Sequence, residues 1–162
     1  MKKIRVGVIG LGFIGKQHVE ALRRLPYIEI VAGSDSNLSM REWCEKNGIQ
    51  KYYSDYKEML TNENMDVVHN CTPNNFHYEV SCEILKTGCH VYSEKPLTIK
   101  SVEGESLIEL ADKKGLKTAV NFNYRNNLMV QEIQQRIQNG RMGMISHIQV
   151  EYLQDLSLIH IS

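Results

Sequence analysis

Hydrophobic positions along the chain follow two alternating periods. Ile4–Ile9 (IRVGVI) is a short apolar run, rich in β-branched residues and closed by a glycine, which predicts a buried strand. From Ile14 the spacing turns helical: Ile14, His18, Ala21, Leu22 and Leu25 recur at helical intervals, and Pro26 stops the helix. Ile28–Gly33 (IEIVAG) predicts a second strand, and Met40–Asn47 a helix that stops at Gly48. Further on, the pattern predicts a strand over Asp66–Asn70, a helix over Phe76–Thr87, a strand over His90–Ser93, a helix over Val102–Lys114 and a strand over Lys117–Phe122. Three helices share one stop signal, a lysine in the last turn and then a glycine: Lys46/Gly48, Lys86/Gly88 and Lys113/Gly115. The lysine complements the negative end of the helix dipole, and the glycine accepts the left-handed backbone of the cap. Strands and helices alternating every 10–15 residues or so make βαβ units. The predicted fold is therefore α/β, a doubly wound, mostly parallel sheet with helices on both faces.

Composition narrows the class of protein further. A length of 162 residues suits one domain of roughly 100–200 residues. Nineteen Lys+Arg against nineteen Asp+Glu leave no net charge, so the basic surface that neutralises phosphate backbones is missing and nucleic acid is not an expected partner. No apolar run reaches the roughly 18 residues of a membrane span, and no membrane partner is expected. Lys2 and Lys3 precede an apolar stretch as in a signal peptide, but Arg5 interrupts it and no small-residue cleavage site follows. The cysteines, Cys44, Cys71, Cys82 and Cys89, have neither CxxC nor zinc-ligand spacing. They are expected to be unpaired, inert thiols in a reducing cytoplasm, with no metal site.

The first strand runs into Gly10-Leu11-Gly12-Phe13-Ile14-Gly15, which opens the first helix. GxGxxG alone is common, but between a buried strand and a helix it is the context of a dinucleotide fingerprint. Gly10 suits the tight turn, Gly12 leaves room for a pyrophosphate beside the backbone, and Gly15 lets helix and strand pack closely. The amides and dipole of the helix, starting at Phe13 and Ile14, make the anion site. Asp35, about 20 residues further on at the end of the second strand, stands where an acid grips ribose hydroxyls. The alternative is a tight turn without a ligand, with Asp35 as a plain N-cap. A carboxylate at this place repels a 2′-phosphate, and Ser36 and Asn37 offer no cation, so the expected cofactor is NAD; nearby Arg41 leaves NADP open.

Two more segments sit behind strands. Thr72-Pro73-Asn74-Asn75-Phe76-His77 follows Asp66–Asn70, and Glu94-Lys95-Pro96 follows His90–Ser93. With the glycine loop, and with Phe122-Asn123-Tyr124-Arg125 and Asn139-Gly140-Arg141-Met142-Gly143 in order behind them, the chain resembles the glucose–fructose oxidoreductase/inositol dehydrogenase family (Gfo/Idh/MocA) from residue 1 to about 155. The resemblance implies a Rossmann domain in which Thr72, Pro73, Asn74 and Glu94 line the cofactor. It also implies that Lys95 stands where nicotinamide meets substrate, and that the Lys95–Pro96 bond is cis. Ligands of open α/β sheets lie at the carboxyl ends of the strands, where both segments fall. A lysine there can hydrogen-bond a sugar hydroxyl and stabilise charge during hydride transfer; the plain alternative is a surface Glu–Lys pair before a turn proline. His77 either touches the cofactor or starts a helix. Arg125 either faces the cofactor or pairs at the surface. His18, on the apolar face of its helix, reads as a core histidine with its hydrogen bonds satisfied.

Family members continue into a second α+β domain that carries the usual acid–base Asp and His, so neither is assigned here, and His147 and His160 are not substitutes. The expected domains are residues 1–125 for the dinucleotide-binding domain and 126–155 for the start of the second. Met144–Tyr152 alternates at Ile148, Val150 and Tyr152 and is expected to be the first strand of its sheet. Residues 156–162 (LSLIHIS) read as the translation of a sequencing-adapter end and are expected to be foreign to the protein; the alternative is a genuine apolar tail. The function expected of the full-length form is hydride transfer between nicotinamide and a hydroxyl-bearing carbon of a sugar, polyol or related small molecule, in a homo-oligomer. This chain by itself is expected to be inactive. The competing reading is a dinucleotide-binding, redox-sensing module without turnover. It has no use for Lys95. A methyltransferase, which also uses a glycine loop, finds no support in the two later segments.

Overall fold

The structure is a computed structural model, described over residues 2–153. The expected foreign tail at 156–162 lies outside the described residues. Residues up to Phe122 form one compact unit and the described residues from Asn123 a second.

The first unit is a six-stranded sheet in the order β3-β2-β1-β4-β5-β6, with every neighbouring pair parallel. Its strands are β1 (Ile4–Ile9), β2 (Ile28–Ser34), β3 (Tyr52–Tyr53), β4 (Val67–Asn70), β5 (His90–Ser93) and β6 (Thr118–Val120). The helices are α1 (Phe13–Arg23), α2 (Met40–Lys46), α3 (Tyr56–Asn62), α4 (His77–Lys86) and α5 (Ser101–Lys114). The order reverses beside β1, so the loops after β1 and β4 diverge and leave a crevice at the carboxyl edge. Val6, Val8, Leu11, Val19, Leu22 and Cys44 fill a core on one side, while Val68, Val80, Ile84, Val91 and Leu107 belong to a second core cluster. The three lysine–glycine stops act as expected, with positive φ at Gly48, Gly88 and Gly115.

Three expectations change. The pattern left residues 49–65 without an element, yet β3 and α3 form there. A two-residue strand is too short to show an alternation, and α3 buries only Met59 and Leu60. The helix expected over Phe76–Thr87 is preceded by a 3₁₀ turn, Asn74–Phe76, and turns α-helical at His77. Met144–Tyr152 is not a strand: residues 144–153 carry no ladder, and Met144, Ile148, Val150 and Tyr152 are exposed. A strand exists through pairing, and no second strand is present among the described residues of that unit. The second unit instead holds a 3₁₀ turn, Asn123–Asn126, and α6 (Leu128–Gln138), capped by Asn127, whose side chain accepts the Met129 N–H.

Candidate functional site

β1 ends at Ile9, and Gly10–Gly12 turn the chain into α1. Gly10 has φ +85°, and a side chain there would press on the Cys71 carbonyl. A Cβ on Gly15 would overlap the carbonyl oxygen of Gly10, so helix and loop touch only because Gly15 has no side chain. Gly12 differs: nothing lies within 4 Å of where its Cβ would stand. The start of α1 has neither a side-chain cap nor an acidic residue in its first turn, which leaves its amide end open to an anion. Asp35, just past β2, turns inward. Its Oδ2 accepts the Leu11 N–H at 2.7 Å and its Oδ1 the Asn37 N–H at 2.8 Å. Arg41 lies over the Tyr52 ring at 5.4 Å, and the Tyr52 hydroxyl donates to the Asp35 carbonyl.

A cleft of about 770 Å³ opens here, within the range of cofactor and small-molecule sites. Gly10, Gly12, Phe13, Ile14, Asp35, Thr72 and Pro73 line it. Ser54, Asp55, Tyr56 and Lys57 line it too, and the pattern of the sequence did not bring them out. The signal was present: Asp55 precedes a short helical run, and its side chain caps α3 by accepting the Lys57 N–H at 2.8 Å. Cys71 also faces the cleft; burial, and then the charge of Glu94, push its thiol up, so it stays protonated.

Asn70 shapes the next loop. Its Nδ2 donates to the His77 carbonyl and to Ser81 Oγ, both at 3.0 Å, and its Oδ1 accepts the Thr72 hydroxyl at 2.7 Å. His77 starts α4 and is fully buried. Its Nδ1 faces the Pro96 carbonyl and its Nε2 the Thr72 carbonyl at 2.8 Å, so the ring ties two loops together. Pro73 and Asn74 are exposed. Arg125 is an exposed residue of the second unit.

Behind β5, the Lys95–Pro96 bond is cis. Lys95 is exposed, whereas Glu94 is buried and turned inward. Glu94 Oε1 accepts from Asn121 Nδ2 at 2.6 Å and from His18 Nε2 at 2.9 Å, and Oε2 accepts the Lys95 N–H at 3.1 Å. Burial pushes the Glu94 carboxyl up, but these bonds and the His18 charge outweigh it and hold the group below its ordinary value. His18 is indeed a satisfied core histidine, with His69 Nδ1 at 2.8 Å on its other nitrogen. Burial first, and then the charge of His18, push His69 down to about 3, so it stays neutral at neutral pH.

The parallel sheet thus places the glycine loop, Asp35, the Thr72 loop and Lys95 at one carboxyl edge. The residues fit a dinucleotide: an open glycine beside an uncapped helix start, and a carboxylate on the adjoining strand. This is a Rossmann domain of the dinucleotide-binding class. Residues 4–122 match the model of the oxidoreductase family with an NAD-binding Rossmann fold (GFO_IDH_MocA), and the chain belongs to that family. It is 35% identical over 144 residues to D-glucoside 3-dehydrogenase of Escherichia coli, covering 88% of this chain and 41% of that protein. It is 33% identical over 141 residues to myo-inositol 2-dehydrogenase of Thermotoga maritima, covering 86% and 42%. Among solved structures, myo-inositol 2-dehydrogenase of Lactobacillus plantarum superposes with a TM-score of 0.84 at 26% identity, over 89% of this chain and 43% of that one. The WlbA dehydrogenase of Bordetella pertussis, in complex with NADH and UDP-GlcNAcA, does so with a TM-score of 0.83 at 29% identity, over 89% and 42%. The chain therefore spans less than half the length of these relatives.

Proposed function

We propose that this chain is the cofactor-binding part of an NAD-dependent dehydrogenase acting on a sugar, polyol or related hydroxyl-bearing small molecule. The observation that carries the reading is the order along one sheet edge, with Asp35 behind β2, the glycine loop behind the adjoining β1, and Lys95 behind β5. Gly10, Gly12 and the α1 amides from Phe13 to Gly15 hold the pyrophosphate, and Asp35 accepts from ribose hydroxyls. Thr72, Pro73 and Asn74 form the wall between the phosphate end and Lys95, and the buried His77 braces it from behind through the Thr72 and Pro96 carbonyls. When bound, the nicotinamide gives or takes the hydride. Lys95, with no protein partner for its ammonium among the described residues, donates a hydrogen bond to the substrate hydroxyl and stabilises charge as it develops there.

The activity, the substrate and a homo-oligomeric state belong to the whole protein. Its compartment is the cytoplasm, a reading supported by four free thiols; no helix among the described residues is long and apolar enough to cross a membrane. Calorimetry of the 162-residue chain with NAD and NADP tests the first step. Binding of NAD in preference to NADP is expected; no heat with either cofactor at millimolar concentration refutes the assignment.

A further inference from the structure

Lys95 carries the chemistry proposed above, yet its side chain has no partner among the described residues, so its backbone must place it. The backbone is held on both sides of the turn. The Lys95 N–H donates to Glu94 Oε2 at 3.1 Å, and the Pro96 carbonyl faces Nδ1 of the buried His77. Glu94 is the more constrained of the two clamps. A carboxylate only accepts, so each of its three neighbours must present a hydrogen. That requirement puts a hydrogen on His18 Nε2 and turns the amide end of Asn121 toward Oε1. Each of these donors is itself fixed. The Tyr92 hydroxyl donates to Asn121 Oδ1 at 3.0 Å, which sets the direction of the amide. His69 Nδ1 meets His18 Nδ1 at 2.8 Å, and the His69 ring stacks on Tyr92 with centroids 4.7 Å apart. One oxygen of the carboxylate is thus gripped from α1 and from the residue following β6, and the other is spent on the lysine's own backbone.

We propose that Glu94 is a positioning residue: locked by His18 and Asn121, its carboxylate holds the Lys95 backbone and so sets where the lysine ammonium stands beside cofactor and substrate. The catalytic consequence rests on the function proposed above; the clamp itself can be read without turnover.

Glu94→Gln keeps the shape and removes an acceptor. Whichever way the new amide turns, its N–H groups face either the Lys95 N–H or the hydrogens of His18 and Asn121. In the 162-residue chain the Lys95 amide proton should move upfield and exchange at least about tenfold faster, with the NAD dissociation constant within about threefold of wild type. Combining Glu94→Gln with Asn121→Asp exchanges carboxylate and amide. His18 Nε2, 3.3 Å from the Asn121 nitrogen, then donates to position 121, and the oxygen at position 94 is free for Lys95. The Lys95 amide should return toward its wild-type signal. In the full-length protein Glu94→Gln should lower kcat about 10–100-fold with the NAD KM little changed, and the double variant should recover most of the loss. An unchanged Lys95 amide in Glu94→Gln, a wild-type kcat, or a double variant as impaired as the single one overturns the proposal. Should Glu94→Gln fail to fold, the wild-type chain decides by nitrogen-15 spectroscopy of His18: a hydrogen on Nε2 is expected, and a bare Nε2 overturns the clamp. A full-length protein without dehydrogenase activity would remove the functional reading, while the Lys95 amide signals would still judge the clamp.

Discussion

The carboxylate of Asp35 accepts the backbone N–H of Leu11 at 2.7 Å, so the acid behind β2 supports the glycine loop behind β1. In the function proposed above, cofactor choice and loop shape therefore meet in one side chain. Its second oxygen accepts the Asn37 N–H, which leaves lone pairs on both oxygens for ribose hydroxyls.

Replacing Asp35 by Ser together with Ser36→Arg removes the charge that repels a 2′-phosphate and supplies a cation. The ratio of NADP to NAD affinity should rise by at least about tenfold, measured by calorimetry. NAD binding should weaken in absolute terms as well, because the Leu11 amide loses its acceptor. Equal ratios in wild type and variant would place the ribose pocket elsewhere.

Gly12 and Gly15 separate binding from folding. Gly15→Ala must push its methyl into the Gly10 carbonyl and should cost about 1–3 kcal/mol of stability in urea unfolding. Gly12→Ala meets nothing within 4 Å and should unfold within about 0.5 kcal/mol of wild type. In the function proposed above its methyl enters the space of the pyrophosphate, so NAD affinity should drop at least about tenfold while the fold stands.

His69 gives the stability a pH dependence of definite sign. Its folded-state value is pushed from 6.5 down to about 3, so between those values the unfolded chain holds a proton that the folded chain refuses. Stability should then rise with pH through this window and fall as the pH drops below about 6.5, by at most about 1.4 kcal/mol per pH unit from this group. Glu94, held below its ordinary 4.5, adds a loss of the same sign further into acid. Urea midpoints at about pH 7 and pH 5 measure the slope. His69→Gln should flatten it, and an unchanged slope would assign the dependence to other groups.

Lys95→Ala in the full-length protein should lower kcat about 10²–10⁴-fold, as for a lost acid–base or orienting group. NAD affinity should change little, since the glycine loop and Asp35 carry it. Absorbance at the NADH band with a panel of polyols and sugars is the assay. The 162-residue chain assayed alone should show no turnover, because hydride transfer needs the substrate carbon held about 3–3.5 Å from its acceptor and the relatives are more than twice as long. Turnover by the chain alone would refute that.

What the sequence determined by itself is what repeats locally. Strand β1, the glycine loop and strand β5 were legible because apolar period, glycine placement and helix stops act within a few residues. The same locality explains the misses. β3 is a strand only because Gly33 and Ser34 pair with Tyr52 and Tyr53, and Met144–Tyr152 has the alternation of a strand but no partner among the described residues of its unit. Tertiary structure alone decided the environment of Lys95. His18 lies 76 positions from Glu94 and 103 from Asn121, and no local pattern marks residues that distant as neighbours. The crossovers of the parallel sheet bring α1, β4, β5 and β6 to one place, and the limited number of donors and acceptors there decides which way each side chain must face.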